Sequence, residues 1–248
     1  MNKLENFTFL EQERQELLKK YDLTQESIRK FQKQIKKVTP EESDKLGQEI
    51  LSLLIKKNYN EKDSLDKIKE LILNGANVNY QKPTQGNFPL IFCSRKKDCI
   101  ETFALLIRAG ADINLKNNNQ TTCVMSSARH NNHEALKILI ALDADINARC
   151  FDGDSAIMSA KRHDSKECFQ ILVEANANLN LRNTQKETIE DLGRPMDFSS
   201  FLLTPKPKEK AVTADDLEQL LNDAITKTEE LVGPVAELSS AKQKVYHK

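Results

Sequence analysis

The 248 residues carry 37 Lys and Arg against 37 Asp and Glu, with 39% hydrophobic residues and no Trp. That is enough chain for one or two domains with a core of their own. The balanced charge offers no bulk attraction to nucleic acid or to a membrane surface. No run of about 18 apolar residues occurs, so no membrane span is expected. The opening MNKLENFTFLEQERQ lacks the apolar stretch of a cleavable signal. The five cysteines, Cys93, Cys99, Cys123, Cys150 and Cys168, are odd in number and contain no C-x-x-C pair. They read as reduced thiols in a cytoplasmic setting.

Residues 5–38 read as two helices parted near Asp22–Thr24, the second with Ile28, Phe31, Ile35 and Val38 on one stripe. Residues 1–38 are therefore expected to form an N-terminal helical hairpin packed against the first repeated unit; a separate partner-binding helix pair is the other reading. Thr39-Pro40-Glu41-Glu42 has the form of a helix start, with Thr as N-cap, Pro in the first turn and Glu at the reciprocal capping position. A helix from Glu41 to about Lys57, a polar turn KNYNEKD and a second helix from Ser64 to Leu73 are expected next.

From Asn74 the chain repeats itself. NGANVN, AGADIN, LDADIN and ANANLN align on Ala76, Ala111, Ala144 and Ala177, at steps of 35, 33 and 33 residues. In the third unit TTCVMSSARH predicts a short first helix and Asn131-Asn132 a turn. HEALKILIAL predicts a second helix whose apolar face is Ala135, Leu136, Ile138, Leu139 and Leu142. Asp143 ends it, at the position held by Gly75, Gly110 and Asn176 in the other units. These residue types best tolerate a left-handed C-cap. A 33-residue period built on this string resembles the ankyrin repeat, over roughly Glu41 to Phe201.

The resemblance implies an all-α ankyrin-repeat solenoid of helix-turn-helix units with short hairpin or loop fingers. Residues 39–203 would form the repeat domain with divergent caps. The family's T-P-L-H appears as FPLI, TCVM, SAIM and TIED, without its His. Weaker hydrogen bonding between repeats and more reliance on apolar contact are the expectation. The second unit is expected to gain an extra residue near Cys99 or Ile100. TQKETIEDLGRPMDFSSFLL resembles a truncated closing repeat, stopped by Asp191-Leu192-Gly193 and Pro195, with Phe198–Leu203 over the last apolar face.

Residues 204–212, TPKPKEKAV, read as a linker, and residues 213–248 as a C-terminal helical tail with Leu217, Leu220, Leu221, Ala224, Ile225 and Leu231 on one face. The tail reads as a docked helix, as a coiled-coil or partner helix, or as a terminal address signal; in the last reading it is similar to the C-terminal secretion signals of ankyrin effectors exported by type IV systems of intracellular bacteria. Glu229-Glu230, Ser239-Ser240, Val245 and Tyr246 are the matching features. That similarity implies delivery into a host cell cytosol.

No phosphate-binding glycine loop, dinucleotide fingerprint or nucleophile elbow occurs. His130 and His133 straddle a turn and lack a second ligand pair, so neither a metal site nor a cofactor is expected. Cys168 with His163 is not expected to be a nucleophile pair, because Cys168 falls on an apolar helix position. A non-enzymatic interaction scaffold is the expectation. The ankyrin resemblance implies a concave surface of fingers and first helices, with contact positions at Thr84, Gln85 and Asn87, at Asn118, Asn119 and Thr121, at Phe151, Asp152 and Asp154, and at Thr184, Gln185 and Glu187. On the first helices the positions are Arg95 and Lys96, Arg129 and His130, Arg162 and His163.

These basic doublets have two readings. They complement helix dipoles, at roughly 0.3–1 kcal/mol each, or they form a stripe that binds an acidic protein or peptide. Phe151 is either an anchor or a cover for the neighbouring loop. Nucleic-acid binding through the same stripe, or an enzyme whose chemistry lies in the flanking helices, are the alternatives.

Overall fold

The computed structural model describes residues 3–56 and 59–192, with side chains from residue 11 onward. The chain divides at Phe201 and Leu202. The described residues all belong to the first unit; the expected linker, the tail, Pro195 and Phe198–Leu203 lie outside them.

Among the described residues ten α-helices follow in order: α1 Lys3–Lys20, α2 Gln25–Gln32, α3 Pro40–Ile55, α4 Glu61–Leu73, α5 Pro89–Cys93, α6 Ile100–Arg108, α7 Cys123–Arg129, α8 His133–Ala141, α9 Ala156–Arg162 and α10 Lys166–Glu174. There is no strand among the described residues. Helices α3 to α10 form four antiparallel pairs. The first helices α3, α5, α7 and α9 pack in one row and the second helices α4, α6, α8 and α10 in a row behind. Between the rows lie Ile68, Leu90, Phe103, Leu106, Leu136, Leu139, Ile157, Phe169 and Leu172, all buried.

The sequence signals for helix ends act locally. Thr39 Oγ1 accepts from the Glu42 amide and Asn60 caps α4, which begins at Glu61 rather than Ser64. The four residues that end the second helices all sit at positive φ: Gly75 at 97°, Gly110 at 100°, Asp143 at 59° and Asn176 at 60°. Gly, Asp and Asn thus serve one backbone conformation.

The repeat string also carries hydrogen bonds between repeats. Asn79, Asn114 and Asn147 each accept, through the side-chain oxygen, the backbone N–H of the next unit's Asp112, Asp145 and Asn178, at 2.9, 2.9 and 2.8 Å. Inside each string the residue two earlier steadies that Asn: Asn77, Asp112 and Asp145 accept from the amides of Asn79, Asn114 and Asn147. At the other edge of the stack, buried Asn132 donates to the carbonyls of Ser94 and Lys96 at 3.2 and 3.0 Å and accepts from the Ala135 amide. Hydrogen bonds between repeats are thus present without the missing His, and side-chain amides carry them. At Asn132 one short amide both donates to the preceding turn and caps the next helix.

The fingers are loops closed across their base by a backbone bond: Lys82 N–H to Asn87 O, Asn117 to Thr121, Cys150 to Asp154 and Asn183 to Glu187. They stack through Asn118 N–H to Gln85 O, Phe151 to Asn119 and Thr184 to Asp152, at 3.1, 3.1 and 2.9 Å. The first finger is one residue longer than the others, and a second extra residue sits in the 3-10 turn Lys97–Cys99 between α5 and α6. The second unit's longer step thus has two sources, of which only the turn was expected.

The N-terminal region also departs from expectation. Helices α1 and α2 do not fold onto each other against the first repeat; α1 packs on α8 and α2 on α6. Residues 11–38 run as a strap down the back of the stack. Arg14 donates to Ala141 O at 2.7 Å and pairs with Asp143 at 2.6 Å. Lys20 and Tyr21 both donate to Glu134. Asp22 pairs with Arg108, whose guanidinium lies over the Phe31 ring. The Lys36 amide donates to Leu73 O. Leu18, Leu23 and Phe31 are buried under it. Helix α2 stops at Gln32, so Ile35 and Val38 lie beyond it, Ile35 in the turn that follows and Val38 in the loop before α3.

Candidate functional site

The fingers and the first helices enclose a groove on the face opposite the strap. It has three connected parts by their lining. Thr84, Gln85, Asn87, Arg95 and Asn118 line the first, of about 310 Å³. Arg95, Asn119, Thr121, Ser126, Arg129 and His130 line the second, of about 240 Å³. Asn119, Arg129, Phe151, Asp152, Arg162 and His163 line the third, of about 540 Å³. Nine of the ten residues read from the sequence as partner-binding, namely Arg95, Asn118, Asn119, Arg129, His130, Phe151, Asp152, Arg162 and His163, line these parts.

Lys96 is the exception. Its Nζ donates to Leu54 O at 3.2 Å and lies 4.6 Å from the centre of the Tyr59 ring. It therefore ties the second repeat to the first. Residue 95 follows a shorter helix than residues 129 and 162, because α5 ends at Cys93, which turns Arg95 and Lys96 to opposite sides.

The two later doublets cap helices. Arg129 and Arg162 are the last residues of α7 and α9, and His130 and His163 are their C-caps. Each imidazole Nδ1 meets the carbonyl four residues back, Ser126 O at 2.9 Å and Ser159 O at 3.0 Å. The dipole reading thus has direct bonds behind it. It leaves the guanidiniums to be placed separately. Arg129 Nε donates to His163 Nε2 at 3.0 Å, so the side chains of successive doublets touch. Burial, more than the neighbouring cations, holds His130 below its ordinary pKa.

The three arginines face different charges. Arg162 pairs with Asp154 and Glu187, each at 2.8 Å. Burial acts to lower its pKa, and the bonds to those carboxylates outweigh it. Arg95 meets no carboxylate among the described residues; burial and then the charge of Arg129 lower its pKa. The basic stripe is thus cationic along α5 and α7 and charge-balanced at α9. Sequence reading missed this because the balancing acids lie in the fingers, 8 and 25 residues from Arg162.

Phe151 sits at the tip of its finger and is 66% exposed. It lines the third part of the groove together with Arg129.

The cysteines are free; Cys93, Cys99, Cys123 and Cys168 are buried and Cys150 is half-buried. Burial pushes the Cys168 thiol up to about 12, the behaviour of an inert core residue.

A solenoid of antiparallel helix pairs with stacked finger loops is a class of repeat scaffold, in which the concave face is left open by the stacking itself. The family model for ankyrin repeats in three copies matches residues 51–149 and 90–183. The chain belongs to the ankyrin-repeat family. Ankyrin repeats generally mediate protein–protein interaction and are typically non-catalytic. No curated protein matches the chain.

Proposed function

We propose that the protein is a non-enzymatic scaffold that seats an acidic segment of another protein in the concave groove. The supporting observation is the asymmetry of that groove: Arg95 and Arg129 face it without a carboxylate partner among the described residues, beside an exposed aromatic ring. Apolar contact on Phe151 supplies an anchor, and the cations select the sign of the partner's charge.

The test is affinity capture from a eukaryotic lysate with the wild-type chain and with a double variant, Arg129→Glu with Phe151→Asp. Both side chains are exposed, so the stack is expected to stay folded and the captured protein to be lost. Equal capture by both forms would sink the reading. Arg162 is left alone deliberately. Its reversal to Glu would set a third carboxylate beside Asp154 and Glu187 and disturb the last finger.

The site of action we propose is a host cell cytosol, reached by export through the C-terminal tail. The features that support it are Glu229-Glu230 and the small and apolar residues after them. Deleting residues from Glu229 onward should abolish delivery in a translocation reporter assay, and undiminished delivery would reject export by this route.

A further inference from the structure

Arg95, just beyond α5, and Arg129 and Arg162, which end α7 and α9, each stand eight residues after a fixed position of the preceding finger. Arg162 has Asp154 there, and bonds it. Arg95 has Asn87 there and Arg129 has Thr121. The same scaffold position thus provides a counter-anion in one repeat and a neutral side chain in the two before it.

The cavity between the second finger and α7 shows the consequence. It holds about 240 Å³ and no carboxylate is among the residues that line it. Arg95 enters it half-buried, stacked 5.2 Å from the centre of the Phe92 ring. Its Nε is buried and has no hydrogen-bond partner among the described residues, where Nη2 reaches only Asn87 Oδ1 at 3.5 Å. Ser126 lines the same cavity at 2% exposure, and its hydroxyl also lacks a partner among the described residues. A desolvated guanidinium and a buried hydroxyl without partners are each unfavourable, and one bound anion relieves both. Arg129 and His130 complete the wall on the open side.

We propose that this cavity is a socket for a single anionic group of the partner, a carboxylate or a phosphoryl group, held by Arg95 and Arg129 with Ser126 donating. This deepens the concave-face reading and rests on it. The site fixes one point of the partner's register, while the charge-balanced groove beside α9 does not select for charge. A fork of two guanidiniums with an adjacent hydroxyl suits an oxyanion of either kind.

The test uses the 15N-labelled full chain, with arginine Nε–H resonances followed by NMR. Inorganic phosphate and acetate are titrated separately at constant ionic strength. The expected result is a saturable shift of the Arg95 and Arg129 signals with at least one anion, while the Arg162 signal, already paired, stays still. Tighter binding of phosphate assigns the socket to a phosphorylated side chain, and tighter binding of acetate to Asp or Glu. R129Q and R95Q should each weaken the anion about tenfold, the scale of one charge-assisted hydrogen bond, and K96Q should leave the titration unchanged. Arg129 is exposed, so its variant keeps the test sound should R95Q fail to fold. Absence of a saturable shift with both anions, equal movement of Arg162, or an unchanged curve in R129Q would overturn the proposal. With the captured protein, retention by R95Q and R129Q together with loss in Phe151→Asp rejects the socket and leaves the concave face standing. Retention by all three rejects both.

Discussion

Gly75 and Gly110 do the same backbone work as Asp143 and Asn176, yet they are not equally replaceable. A Cβ on Gly75 would meet Lys36 O and Val38 Cγ2, each at 2.7 Å. On Gly110 it would meet only the end of the Gln32 side chain, at 3.1 Å. The first is backbone and a branched side chain; the second is a flexible amide that can swing aside. Gly110→Asn should cost about 1 kcal/mol or less, the price of a left-handed Asn. Gly75→Asn should cost about 2–4 kcal/mol, because the strap must shift as well. Urea unfolding of the two variants measures the difference, and equal costs would mean that Val38 does not press on Gly75. The left-handed requirement was legible in the sequence, since Gly, Asp and Asn alternate at that place. The crowding was not, because Lys36 and Val38 belong to another element.

At the scale of the element, the strap decides how the stack behaves. Burial of Leu23 at 1% exposure ties it to the back of the repeats. Leu23→Ala should destabilise the protein by about 2–4 kcal/mol, as cavity-forming core substitutions do. Removing residues 1–36 should lower the melting temperature further and leave α6 and α8 with exposed apolar backs. Calorimetry on the two forms decides this; an unchanged melt of the truncated chain would show that the strap adds nothing to the fold. Its place was hidden from the sequence for a physical reason. The stripe of Ile28, Phe31, Ile35 and Val38 states that one face is buried and not what buries it. A hairpin and a strap satisfy the same periodicity, and the choice between them is made by Arg14, Tyr21 and Asp22 finding partners on distant helices.

For the molecule as a whole, the 33-residue period carried most of the fold, because each repeat is built from contacts with itself and its neighbours. The groove was legible in outline for the same reason. Its charge was not, since the neutralisation of Arg162 depends on how a finger folds back over a helix. The strap breaks the local rule on which both readings rest. Its bond from Arg14 to Asp143 joins residues 129 apart in sequence. A chain made from its N-terminus outward completes this segment early and has nowhere to put it. The part of α1 that packs on α8 stays undocked until α8 has been synthesised. The loop-closure entropy of that wait is offset only by a surface the repeats create later. The strap is thus made before the helices on which it docks, and a pause in translation before Asp143 leaves it undocked.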